Sequence, residues 1–228
     1  FVAVLAAWSA RLPETRNPED RLELRLDRIL DAARQVWSNR TAAGYTLAMT
    51  ALFGAFVSYL ATSEIIVADV FDRASAFPAV FGGLAAVMGA ALLANARIVA
   101  HFGARRLVHI GLVGHVLTAS GLVAVAMVTG GRPAFPLFLV GFAVMLSLHA
   151  LLIPNLNTVA MDPLGHVAGT ASAIIGTVST AGGTALGAVF DRMFDGTITP
   201  LSFAFLAVGV AALVIVTWTE RGKPALRR

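Results

Sequence analysis

Six long apolar stretches alternate with polar gaps along the chain. They cover residues 41–63, 77–96, 107–129, 134–161, 167–190 and 198–219, and none contains Asp, Glu, Lys or Arg. Each has about 20 residues or more, enough to cross a bilayer core of about 30 Å as a helix. The pattern predicts an all-α, integral membrane six-helix bundle over residues 41–219. The turns at Gly130-Gly131-Arg132-Pro133 and Asp195-Gly196 are short. Such turns are expected to hold successive helices antiparallel and side by side.

The polar stretch ahead of the first span has its own pattern. Pro13 and Pro18 disfavour helix before them. From Glu19 onward, Leu22, Leu26, Ile29, Leu30, Ala33, Val36 and Trp37 recur at three- and four-residue steps among Arg and Asp. That periodicity predicts an amphipathic helix, lying on the membrane surface, tucked under the bundle or binding a partner. Residues 1–10 are apolar but too short to span, and read as the end of a preceding membrane helix. The expected organisation is 1–10 as that helix end, 11–40 as a cytoplasmic loop with the amphipathic helix, 41–219 as the bundle and 220–228 as a cytoplasmic tail.

In the fifth span, Gly169, Gly176, Gly183 and Gly187 fall on one helical face, with Ser172, Ala173 and Thr180 beside them. A smooth face lets membrane helices approach closely. It predicts a helix–helix contact, and also suits a surface that slides during a conformational cycle. Gly82, Gly83 and Gly89 repeat the theme more weakly in the second span.

Charge adds orientation. Arg11, Arg16, Arg21, Arg25, Arg28, Arg34 and Arg40 precede the first span; Arg97, Arg105 and Arg106 follow the second; Arg221, Lys223, Arg227 and Arg228 follow the sixth. These are 14 of the 17 basic residues. All lie on one side of a six-crossing chain, which the enrichment of cytoplasmic loops in Lys and Arg marks as cytoplasmic. A net charge of +4 distributed in this way labels a membrane face and argues against nucleic acid as a partner. Only 13% of residues are charged, against about 25% in soluble domains. The chain has no cysteine, so neither disulfides nor thiolate chemistry arise.

No zinc-protease, serine-nucleophile or phosphate-loop signature occurs, so no catalytic residue, metal or cofactor is expected. Attention passes to polar residues inside the spans, where they are costly unless paired or wetted. His149 lies about 18 Å of helix from the cytoplasmic end of the fourth span, as a proton carrier or as a neutral ring bonded across helices. His109 and His115 read as packing residues of the third span. Pro154-Asn155 with Asn157 predicts a bent helix with amides beside the weakened ladder, either lining a gate or packing between helices. Glu64 follows the first span, and apolar 65–68 allow the helix to continue. It is a cavity carboxylate or an ordinary rim charge.

Four stretches carry a resemblance. They are Leu12-Pro13-Glu14-Thr15 with Pro18-Glu19, Asn95-Ala96-Arg97 with Phe102-Gly103-Ala104-Arg105-Arg106, Pro154-Asn155, and Gly165-His166-Val167-Ala168-Gly169-Thr170-Ala171-Ser172-Ala173. Together they resemble the C-terminal half of a major facilitator superfamily transporter, in the bicyclomycin-resistance-type branch of drug:proton antiporters. The resemblance implies two six-helix halves around a central cavity in the plasma (inner) membrane, working by alternating access. It implies a small-molecule substrate, protons, the bilayer and an N-terminal six-helix half as partners. The substrates would be small amphipathic compounds or drugs; a carrier for a sugar, amino acid or other metabolite is the alternative. By the same resemblance Tyr59, Ser63, Glu64, His149, Asn155 and Asn157 become cavity candidates. Asn95, Arg97, Gly103, Arg105 and Arg106 become a second copy of a gating loop. This copy has Ala100 where the first copy carries Asp, so an orienting or helix-terminus role is expected here in place of a charge relay.

Overall fold

The computed structural model describes residues 2–9, 11 and 26–221. The stretch 12–25, which begins the amphipathic pattern and includes Leu12-Pro13-Glu14-Thr15, and the tail beyond Arg221 lie outside the described residues. The described residues form eight α-helices: α1 (Val2–Ser9), α2 (Leu26–Ser38), α3 (Arg40–Ile65), α4 (Phe77–Phe102), α5 (Ala104–Val128), α6 (Phe135–Met161), α7 (Ala168–Asp191) and α8 (Thr199–Glu220). Among the described residues, five continuous helical runs are long and apolar enough to cross a membrane. One of them, Phe135–Asp191, has 57 residues, far beyond a single crossing. It folds back through the 3-10 turn Asp162–Val167, where Leu164 leaves helical geometry. The run therefore divides into α6 and α7, and the crossings number six, α3 to α8.

Local chemistry sets the helix ends. Asn39 caps α3, its Oδ1 accepting from the backbone of Thr41 at 3.0 Å and Ala42 at 3.1 Å. Such caps satisfy N–H groups that the helix leaves unpaired. Pro78, Pro136 and Pro200 occupy the first turns of α4, α6 and α8, where a missing N–H costs nothing. Gly103 alone joins α4 to α5, at φ 75°, a backbone region open mainly to glycine. At the other end of the bundle, the Gly131 carbonyl accepts from the amide of Ile198 at 3.1 Å, which ties the α5–α6 turn to the α7–α8 turn.

Helix α3 stands at the centre, packed on α7, α8 and α6; α5 packs on α6 and α8, and α4 on α6. Successive helices are mostly not neighbours: α4 and α5, α6 and α7, and α7 and α8 barely touch. The side-by-side expectation holds for α5 with α6 and fails for these pairs. A short connection fixes where two helices meet, whereas close packing along their length requires matching surfaces. Tyr45, Leu52, Phe142, Leu146, Leu152, Ile175 and Phe205 fill the interior. Between membrane helices such interdigitation, and not exclusion of water, supplies the attraction.

The glycine face of α7 divides. At Gly183 an added Cβ would stand 2.6 Å from the Phe53 ring, and at Gly187 2.7 Å from Val57, so this half of the face lies against α3. Gly169 and Gly176 have nothing within 4 Å, and neither have Gly82, Gly83 and Gly89 of α4. The packing expected at Gly169 and Gly176 is therefore not made within the described residues. The buried row of α7 is Ala171, Ile175, Ser179, Gly183 and Gly187, a four-residue step that winds about 40° each time. The glycines run parallel to the axis, so row and face coincide only toward the end of the helix.

α2 exists as its periodicity requires, but only Ala32 and Val36 of its described residues are buried. Leu26, Leu30 and Trp37 remain exposed. The helix docks on α7 and α3 by one edge of its apolar arc.

Candidate functional site

An aromatic seam connects α3, α6 and α4. Phe53, Phe56 and Tyr59 recur every three residues along α3, which keeps them on one side of the helix. The Phe56 ring stacks on the His149 imidazole with centroids 4.7 Å apart. Tyr59 lies between Phe56 (6.2 Å), Phe81 of α4 (6.5 Å) and Phe142 of α6 (5.9 Å). Tyr59 and His149 are each 3% exposed, whereas Phe53, Phe56, Phe77 and Phe81 are half-buried. The seam therefore offers a partly open apolar face with a polar ring behind it. Nδ1 of His149 has no hydrogen-bond partner among the described residues, so it keeps a nitrogen for a proton or a polar ligand. Phe53, Phe56 and Phe81 were not among the sequence candidates. The three-residue aromatic spacing in α3 was the signal that could have found Phe53 and Phe56.

The remaining candidates scatter. Ser63 is buried, but its hydroxyl bonds the Leu60 carbonyl of its own helix at 3.2 Å. Glu64 is exposed, although the helix does continue beyond it, through a π-helical turn to Val70. α6 runs through Pro154 without a break. Asn155 is buried and donates to Asn95 Oδ1 and to the Leu151 carbonyl, both at 2.7 Å. Asn157, 200° further round at 100° per residue, is exposed. The two amides therefore do not face one site: Asn155 joins helices and Asn157 lies at the surface.

The predicted gating loop separates in the same way. Asn95 lies within α4, in the buried pair with Asn155. Arg97 is exposed, and its carbonyl faces His101 Nδ1 at 2.8 Å. Arg106 lies over the Phe102 ring at 5.5 Å. Arg105 reaches Asp162 at 3.2 Å and Glu220 at 3.6 Å. The loop has no carboxylate at Ala100, but the fold brings two from elsewhere in the chain, so Arg105 does take part in a charge network. Tyr45 of α3 and His109 of α5 complete it, the tyrosine hydroxyl donating to Glu220 and His109 Nε2 standing 3.2 Å from the same carboxylate. No group of three or more His, Cys, Asp or Glu suited to a metal ion occurs among the described residues.

Comparison with known proteins agrees with this architecture. The chain is 26% identical over 210 residues to a bicyclomycin resistance protein homolog of Haemophilus influenzae (strain ATCC 51907 / DSM 11121 / KW20 / Rd), covering 90% of this chain and 52% of the relative. It is 25% identical over 180 residues to YdgK, an uncharacterised MFS-type transporter of Bacillus subtilis (strain 168), covering 77% of this chain and 43% of the relative. The chain thus spans about half the length of the curated relatives it matches. No solved structure matches it. The relatives are named as a resistance protein and a transporter, not as enzymes. The Major Facilitator Superfamily matches residues 1–188, most of the chain and five of its six crossings, and the protein belongs to that superfamily.

Proposed function

We propose that the chain is the C-terminal half of a proton-coupled exporter of small amphipathic compounds, a plasma-membrane antiporter working by alternating access with its basic loops in the cytoplasm. The aromatic seam carries the reading. Half-buried Phe53, Phe56 and Phe81 offer dispersion and stacking to an apolar or planar body, and ring faces also attract cations. His149 adds a buried nitrogen that can exchange a proton. An aromatic wall with few fixed polar contacts suits varied compounds of similar shape, and the resistance protein among the relatives supports that class. Glu64 and Asn157, both exposed, are second-rank contributors at the two ends of the pathway.

The other half of the transporter covers the faces that this half leaves open. Gly169, Ser172, Ala173, Gly176 and Thr180 on α7, with Gly82, Gly83 and Gly89 on α4, form exposed small-residue surfaces of the kind membrane helices use for close approach. A chain about half as long as its relatives fits such a partner.

Expression of the full-length protein in cells stripped of their own exporters tests the reading. Growth protection against bicyclomycin or other amphipathic antibiotics, with faster loss of preloaded dye, is expected. No protection across the panel, with growth rescue by a sugar or amino acid instead, would replace it with a metabolite carrier.

A further inference from the structure

The charge network at the basic end of the bundle holds the last turn of α8. A carboxylate at a helix C-terminus faces the negative end of the helix dipole, so Glu220 requires compensation. It receives three contacts: the Tyr45 hydroxyl donates to it, the Arg105 guanidinium lies at 3.6 Å and His109 Nε2 at 3.2 Å. Two residues earlier, the Trp218 carbonyl accepts from Arg40, whose guanidinium also covers the Trp218 ring at 4.2 Å. The turn is thus fastened to α3 and α5 by polar contacts.

His109 differs from the other fasteners in having two ring nitrogens that share one proton or carry two. Its Nδ1 stands 2.9 Å from the Arg105 carbonyl while its Nε2 faces Glu220. Both ring nitrogens therefore meet acceptors. A neutral imidazole has one N–H and would turn a lone pair toward one of them; only the protonated ring donates to both. With the ring protonated, Glu220 has two cationic neighbours, Arg105 and His109; without that proton it keeps one.

We propose that His109 makes this cluster a pH-sensitive latch, closed when the ring is protonated and loosened when it is not, with the last turn of α8 as the moving part. Glu220 of α8 faces the ring, and Tyr45 of α3 and Arg105 of α5 share that carboxylate; Asp162 of the 3-10 turn pairs with Arg105, and Arg40 of α3 is held at Trp218. Arg106 is turned to Phe102, and His166 is bonded to Gln35 of α2 at 2.7 Å. Histidine is the one group among these that ordinarily changes charge between pH 6 and 8. The sign follows: acid tightens the latch and alkali releases it.

Spin labels at Arg106→Cys on α5 and Arg221→Cys beyond α8, in the full-length protein free of other cysteines and embedded in nanodiscs, read the latch by pulsed dipolar spectroscopy. The distance distribution is expected to be narrow at pH 6 and at least twice as broad at pH 8.5. In H109Q it should be broad at both pH values, and in H109R, which keeps the cation, narrow at both. A wild-type distribution that ignores pH would overturn the proposal, as would an H109Q protein that keeps the wild-type response.

Discussion

The side-chain amide of Asn155 donates to Asn95 Oδ1 at 2.7 Å, a buried bond between residues 60 positions apart that joins α6 to α4. The main neighbour of α4 is α6, so this polar link joins α4 to the helix that holds it. Replacing Asn155 by Ala strands the Asn95 oxygen, at a cost of roughly 1–2 kcal/mol. Thermal unfolding of the purified protein should show the loss. The double variant N95L/N155L, which leaves no unpaired polar group, should regain most of it. Equal losses in the single and double variants would assign the effect to shape and not to the bond.

Close approach of α3 and α7 depends on two of the four glycines. Gly183→Leu drives a side chain into Phe53 and should cost about 1–3 kcal/mol through overpacking. Gly176→Leu meets nothing within this half and should leave its helix packing intact. If Gly176 contacts the other half, as proposed, G176L will slow transport while thermal stability of this bundle stays near wild type. Comparing melting temperature with transport for the two variants separates the roles.

Asn39 begins the first crossing. Asn39→Ala removes the acceptor for two backbone N–H groups and should destabilise the start of α3 by about 0.5–2 kcal/mol, whereas Asn39→Ser or Asn39→Asp should retain most of the stability. Hydrogen exchange at Thr41 and Ala42 reports the change locally: faster in N39A, near wild type in N39S.

Phe56 and His149 are expected to act together. Phe56→Ala removes the ring on which His149 stacks, and His149→Gln removes the exchangeable proton while keeping an amide in a similar volume. Export should fall about tenfold in each, and the double variant should be little worse than either, because coupled residues are not additive. Expression and detergent stability serve as controls. Full export in both single variants would remove the seam from the transport pathway.

Much of the fold was legible in the sequence because a bilayer imposes length, apolarity and helix on each crossing. All six spans recur as α3 to α8 within a few residues. The site was less legible, since the same alphabet of polar residues serves packing and transport. Asn155 and Asn157 look equivalent in sequence, yet two positions on a helix point 200° apart, and only the first is buried. Arg105 seemed to lack an acidic partner because its partners, Asp162 and Glu220, lie 57 and 115 positions away in the chain. The glycines of α7 share one face, but the crossing angle with α3 decides which of them meet a neighbour. Such choices depend on how helices lean on one another, and a periodicity carries no record of that.

Full-length protein in liposomes, given an imposed pH gradient and a labelled amphipathic substrate, tests the proposed proton-coupled export most directly. Substrate should move against its own gradient while protons move the other way, with transport abolished by a protonophore and reduced about tenfold in H149Q. Substrate movement at the same rate with and without the pH gradient would contradict the account.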